Sequence, residues 1–197
     1  MKHAKILGLA AALLAVPAAH AASPVTKSGL NYDYLDVGLR ISDYDGPDGL
    51  GVGGTFSYDL GQVPRLRLLG SVSFDDLDEP DGYYRNLMIG AGYIHPLAAK
   101  TDLVADVSIL YSAWKLDVSG SPDDRDVGVR VSGYVRHELQ QHFQVEGGLN
   151  LVNIFDDTDL GLNLGGYYEI AQNVWAMVRY DQESDVDTVT LGARLDF

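Results

Sequence analysis

Three stretches of this chain hold residue types at spacings that chemistry could use. "HELQQH" places His137, Glu138 and His142 close together. A zinc protease sets two imidazoles one turn apart on a helix, with two residues between Glu and the second His left free. Here the second histidine comes one residue late, and the stretch reads as a turn between strands, so the rings would not share a face. "DYDGPDG" brings Asp43, Asp45 and Asp48 together, as a calcium loop would. Counted from Asp43, however, an EF-hand would need an acid where Pro47 stands and a bidentate glutamate where Gly54 stands. "GLGVGG", Gly49 to Gly54, fits the dinucleotide fingerprint letter by letter. That fingerprint works only between a strand and a helix N-terminus, and here an alternating strand runs straight through it. With no cysteine there is no thiolate ligand, thiolate nucleophile or disulfide. No catalytic, cofactor or metal site is expected from these residues, and no cofactor is implied.

Carboxylates dominate what remains. Acidic residues number 28 against 14 basic, for a formal charge of −14, which excludes a nucleic-acid partner because phosphates would be repelled. The acid gathers in knots: "DYDGPDG", "FDDLDEPDGYY" from Phe74, "SPDDRD" from Ser121, "FDDTD" from Phe155 and "DQESDVD" from Asp181. Solvated loops explain them more simply than a divalent-cation site.

Between the knots the pattern has period two and no helical period. Leu35, Val37, Leu39 and Ile41 alternate with polar or small residues, and similar sets recur through Leu50–Leu60, Leu66–Phe74, Leu87–Tyr93, Leu103–Tyr111, Val127–Val135, Phe143–Leu151 and Leu160–Tyr168. "VWAMVRYD" is the least regular, since Trp175 and Met177 share a face with Arg179. The last runs through Val189, Leu191, Ala193 and Leu195 to Phe197. The reading is an all-β, antiparallel up-and-down barrel of ten strands, or eight if the first or ninth proves irregular. Short links ("GQVP", "HPLAAK", "ELQQ", "AQN") follow even strands and acid knots follow odd ones, so a meander puts all the acid at one rim. His95, His137 and His142 then fall at the opposite rim.

Alternation does not itself say which face points inward; a lipocalin-like soluble barrel also alternates. Three features favour a membrane barrel. Mid-strand charges Asp36, Arg40, Arg67, Asp106, Arg130, Glu146 and Arg194 suit a narrow polar lumen. Aromatics cluster at strand ends on the apolar faces, with Tyr58, Tyr93, Phe143 and Tyr168 at one rim and Phe74, Tyr83, Tyr111 and Tyr180 at the other. The apolar spans are roughly nine to eleven residues, enough for a tilted strand to cross a bilayer.

Residues 1–21 read as a cleaved signal peptide: Lys2 and Lys5, the apolar run "ILGLAAALLAVP", then "AHA" at 19–21. Residues 22–197 form the barrel domain. Leader, alternation, loop asymmetry and terminal Phe197 together resemble the small outer-membrane barrels of the OmpA/OmpX type. Leu195 departs from that pattern, where a second aromatic is often found. The resemblance implies export to the cell outer membrane, with Phe197 and Leu195 as the signal read by the barrel-assembly machinery. It also implies contact with outer-membrane lipids and lipopolysaccharide, a monomer, and a structural or surface-interaction role in the Gram-negative envelope without a reaction. Barrel enzymes of that membrane work at the outer rim with a histidine base, and no histidine is expected at that rim. The lumen is expected to be closed by charged side chains, with Arg40, Arg67, Arg130, Arg179 and Arg194 facing Asp36, Asp106, Glu146 and Glu169. A narrow pore is the alternative, because glycines at 49, 51, 53, 90, 92 and 148 would leave room.

Overall fold

A computed structural model describes residues 28–44, 47–61, 63, 65–78, 81–116, 124–155, 157–183 and 186–197, and the expected leader lies outside them. Ten strands follow one another: β1 (Tyr34–Asp43), β2 (Asp48–Asp59), β3 (Leu66–Asp78), β4 (Gly82–Ala98), β5 (Thr101–Leu116), β6 (Asp124–Gln140), β7 (Phe143–Ile154), β8 (Asp157–Ala171), β9 (Val174–Glu183) and β10 (Val186–Asp196). Each pairs antiparallel with its sequence neighbours, and β1 pairs with β10 from Tyr34 opposite Asp196 to Asp43 opposite Asp187. The sheet closes, so no edge is left unpaired, as a membrane-spanning sheet requires. Both strands whose regularity was in question form, and the eight-strand alternative falls.

Which face points inward is settled by exposure. Leu39 is 60% exposed and Ile89 70%, while Asp36 is 2% and Arg194 1%. Apolar surface in water costs roughly 25 cal/mol per Å², so a continuous belt of such residues demands lipid around it. The lipocalin arrangement is thereby inverted: this is a transmembrane barrel with a polar lumen. The same parity resolves β9, whose outward face is Val174, Ala176, Val178 and Tyr180 while Trp175, Met177 and Arg179 turn in. Phe56 stacks on Tyr58 and on Phe197 with ring centroids 6.4 and 6.1 Å apart, and Phe74 stacks on Tyr83 at 6.5 Å. These are the girdles at the two rims.

Even-numbered strands hand over within a few residues: β2 ends at Asp59 and β3 begins at Leu66, and the other links are residues 99–100, 141–142 and 172–173. Arg65, His142 and Asn173 take positive φ there, which lets the chain reverse in so few residues. Arg65 is thus a turn residue, donating to the Tyr93 hydroxyl at 3.2 Å, and not a member of the β3 polar face. Much of "HPLAAK" is strand, because β4 runs to Ala98.

The acid knots need a larger correction. "FDDLDEPDGYY" is mostly strand: β3 continues to Asp78 and β4 begins at Gly82. Asp124, Asp157, Asp181 and Asp187, from three further knots, likewise lie in strand ends. The strands outrun the lipid belt, so the acids at inward positions, Asp75, Asp181 and Glu183 among them, face the lumen instead of solvent.

Just above the belt at that outer rim, the outward residues sort by sector. Asp187, Asp43, Asp48 and Asp78 stand in direct cross-strand register on β10, β1, β2 and β3. Arg85, Lys115 and Arg125 occupy the outward positions on β4, β5 and β6, with Ala113 paired to both Arg85 and Arg125. Asn153, Thr158 and Gln182 fill β7, β8 and β9.

Candidate functional site

Among the described residues, the lumen is where the fold gathers its buried polar groups. Its half toward the short turns is solid. Before β1, residues 28–33 turn into the barrel mouth, and Ser28, Leu30, Tyr32 and Tyr34 are all buried. Asp102 of β5 holds them, accepting from Ser28 Oγ at 2.5 Å and from the Tyr32 hydroxyl at 3.0 Å. Arg136 Nη1 donates to the Asn31 carbonyl at 2.8 Å while its Nε and Nη2 donate to Gln144 Oε1. Leu30, Tyr32, Tyr34, Ile94 and Val104 form an apolar cluster on this floor, and Tyr167, Trp175 and Met177 form a second.

Two ion pairs lie in this floor. Arg194 donates twice to Asp36, Nε to Oδ1 at 2.7 Å and Nη2 to Oδ2 at 2.8 Å. Its guanidinium sits between the rings of Tyr34 and Tyr167, 3.7 and 4.0 Å from their centroids. Arg67 pairs with Asp106, Nη2 to Oδ2 at 2.6 Å, and also donates to the hydroxyls of Tyr34, Ser57 and Tyr134. The planar fork of arginine allows both uses at once, a bidentate carboxylate in plane and aromatic faces above and below. Glu146 accepts from the Tyr167 hydroxyl at 2.5 Å.

The outer half is open. A cavity of about 420 Å³ runs from Tyr34 and Asp36 up to Asp157, Asp159 and Glu183, walled by Ser71, Ser73, Asn86, Ser108 and Ser132. Arg130 pairs with Glu183 at 2.9 Å with side chains 23% and 31% exposed, and Arg179 with Asp181 at 3.1 Å. Arg40 holds Asp75 in a two-pronged contact at 2.9 and 3.1 Å, and Ser42 and Tyr44 donate to the same carboxylate. At the mouth Tyr44, Tyr84 and Trp114 make an aromatic group, with centroids 5.5 to 6.4 Å apart.

Asp36, Arg40, Arg67, Asp106, Arg130, Glu146 and Arg194 all line this cavity. The partners are not all those expected. Only Asp36 and Asp106 of the expected carboxylates form arginine ion pairs; Asp75, Glu183 and Asp181, all from acid knots, serve the others. Glu169 is outside the plug, against His142 at the short-turn rim at 2.5 Å. Glycines were expected to leave bore, but they are filled by neighbours. A methyl group on Gly53 would meet Arg40, one on Gly92 would meet Asp106 and Arg67, and one on Gly148 would meet Tyr134. They are notches seating the lumen's own large side chains. Tyr32, Tyr34, Tyr134 and Tyr167 were missed, and Arg136, which alternation puts on the polar face of the sixth strand with Arg130, was not counted among the lumen charges. The doublets "YY" at 83–84 and 167–168 were the available signal, since period two sends one tyrosine of each pair inward. Leu195 and Phe197 both face outward, and the Phe197 N–H donates to the Asp33 carbonyl at 3.1 Å, extending the β1–β10 seam. Among the described residues no group of three His, Cys, Asp or Glu is arranged to hold a metal ion.

No protein-family model matches this chain, and no curated protein matches it significantly. Among solved structures, the KdgM porin is 13% identical, covering 82% of this chain and 99% of its own, with a TM-score of 0.47. The NanC porin is 11% identical, covering 83% of this chain and all (100%) of its own, at 0.48. Neisserial surface protein A is 12% identical, covering 83% and 95%, at 0.42. The closure and the lumen described above rest on this chain's own strand register.

Proposed function

We propose that this protein is an integral outer-membrane barrel whose bore is closed, serving the cell envelope as a structural or surface-interaction element and not as an open channel. The observation that carries the reading is Arg194, 1% exposed, locked to Asp36 and held between Tyr34 and Tyr167 across the bore. A ten-stranded barrel is only slightly wider than one that side chains fill, and here a second layer of chain enters as well. The acid knots face the cell exterior, the N- and C-terminal ends of the barrel face the periplasm, and one copy suffices because the sheet closes on itself. The barrel-assembly machinery would read the terminal strand through Phe197. No reaction is assigned.

Purified protein refolded in detergent should run faster on a gel unheated than boiled, and should conduct little in a planar bilayer at pH 7. Steady ohmic conductance of the unmodified protein would overturn the closed-bore reading. The second reading, a gated narrow pore, has one observation in its favour. Ahead of Asp33, which extends the β1–β10 seam, the segment 28–32 enters the mouth outside the sheet and is tied there by the contacts of Ser28, Asn31 and Tyr32. Such a stopper could be withdrawn without opening the barrel wall.

A further inference from the structure

The outward residues just above the lipid belt are acidic on β10 to β3, basic on β4 to β6 and neutral on β7 to β9. In a chain with 28 acids and 14 basic residues, a basic sector is unexpected. Arg40, Arg130 and Arg179 turn into the lumen. Among the described residues, Arg85, Lys115 and Arg125 are the cations on the lipid side of the outer half. They sit on three adjacent strands, about 10 Å across at the usual strand spacing. Each stands within four residues of the last apolar belt residue of its strand, Leu87, Tyr111 or Val127. That is the depth of lipid headgroups, where a cation reaches phosphate while its stem stays on apolar surface.

A second observation concerns orientation. The Arg85 guanidinium lies 4.1 Å from the centroid of the girdle residue Tyr83 and 5.8 Å from that of Phe74. Stacking holds its charge on the lipid-facing wall, presenting a planar donor set of the kind that binds phosphate bidentately. The acidic sector would repel the same group.

We infer that the β4–β6 sector is a docking surface for the phosphate-bearing headgroup of an outer-leaflet glycolipid. The barrel therefore takes one such lipid on one side. This rests on the outer-membrane reading above, and its test can fail separately.

The full-length barrel, purified in detergent and confirmed folded by its gel mobility, would be titrated with lipid A by native mass spectrometry. Its dephosphorylated form and inorganic phosphate would serve as separate arms. The expected result is retention of phosphorylated lipid A over the dephosphorylated form. The R85Q/K115Q/R125Q variant should lose retention about tenfold or more, since each cation near a lipid phosphate contributes appreciably. R85Q alone should give part of that loss, and this milder variant keeps the test open if the triple one misfolds. D43N/D187N, on the far sector, should retain lipid as the parent does. Equal retention of both lipid forms, or an unaltered triple variant, would overturn the docking surface while leaving the barrel's location untouched. Full displacement of the lipid by millimolar inorganic phosphate would overturn it too, marking a site for free phosphate. A barrel that fails to enter any bilayer would instead defeat the outer-membrane reading.

Discussion

The two halves of the lumen are lined by the same ten strands with the same inward parity, yet they are different materials. Around Arg194 and Arg67 the ion pairs are nearly dry, with side chains 1% and 3% exposed in one and 3% and 8% in the other. Around Arg130 and Arg179 the same pairing is wet, with 23% and 31%, then 25% and 19%. The lining charges do not make this difference. A second layer does: the entering segment 28–33 and the tyrosines that lie on the guanidinium faces. An inward arginine is a plug only where something apolar covers it. Where nothing does, it is the wall of a water-filled vestibule.

The comparison breaks first, if it breaks, at Arg194. Arg194→Ala would leave Asp36 charged and dry and should cost about 3–5 kcal/mol, read as a fall in the urea midpoint of the folded barrel. Replacing both partners together, Arg194→Met with Asp36→Leu, should restore much of that loss, because no charge is then stranded. A cost under 1 kcal/mol for Arg194→Ala would mean the floor is as wet as the vestibule.

Next in size is a change on the wall's other face. Leu39→Arg puts a cation in the middle of the belt, beside the inward Arg40, and should cost about 2–4 kcal/mol near the bilayer midplane. Insertion yields into vesicles would show it; equal tolerance at both positions would undo the in/out assignment.

Tyr32→Ala removes a large buried ring that covers Arg136 and Arg67, and should cost about 2–3 kcal/mol, toward the lower end of core aromatic truncations. The more telling readout is electrical: conductance should appear in a planar bilayer as the stopper loosens. Unchanged conductance would mean that the floor closes the bore without the entering segment. Arg130→Ala has the smallest effect, about 1 kcal/mol or less, because its pair with Glu183 is solvated and screened. That pair should also weaken in high salt, where the Arg194 pair should not.

The barrel was legible in the sequence because its rule is strictly local. Leu35, Val37, Leu39 and Ile41 against Asp36, Gly38 and Arg40 state which way each residue faces, and closure follows from counting. The inward charges were legible for the same reason. Their partners were not. Asp75 and Glu183 looked like loop residues, since nothing in an acid knot says that the strand continues past the lipid. The segment 28–33 alternates too, but its inward members Leu30 and Tyr32 are apolar or aromatic where the strands' inward members are polar, and its role comes from contacts with Asp102 and Arg136, some seventy and a hundred residues away. Tyrosine, apolar in body and polar at its tip, fits either face of a strand, so alternation alone could not sort Tyr134 or Tyr167.

The chain has two tryptophans, and the fold deals one to each compartment. Trp175 is packed in the floor beside Tyr167 and Met177, with its indole N–H on Asp196 at 2.9 Å. Trp114 stands at the open mouth with Tyr44 and Tyr84. The molecule therefore carries its own pair of fluorescent gauges. A water-borne quencher added outside reaches the emission of Trp114 and leaves that of Trp175, so the light from each reports the hydration of its own half.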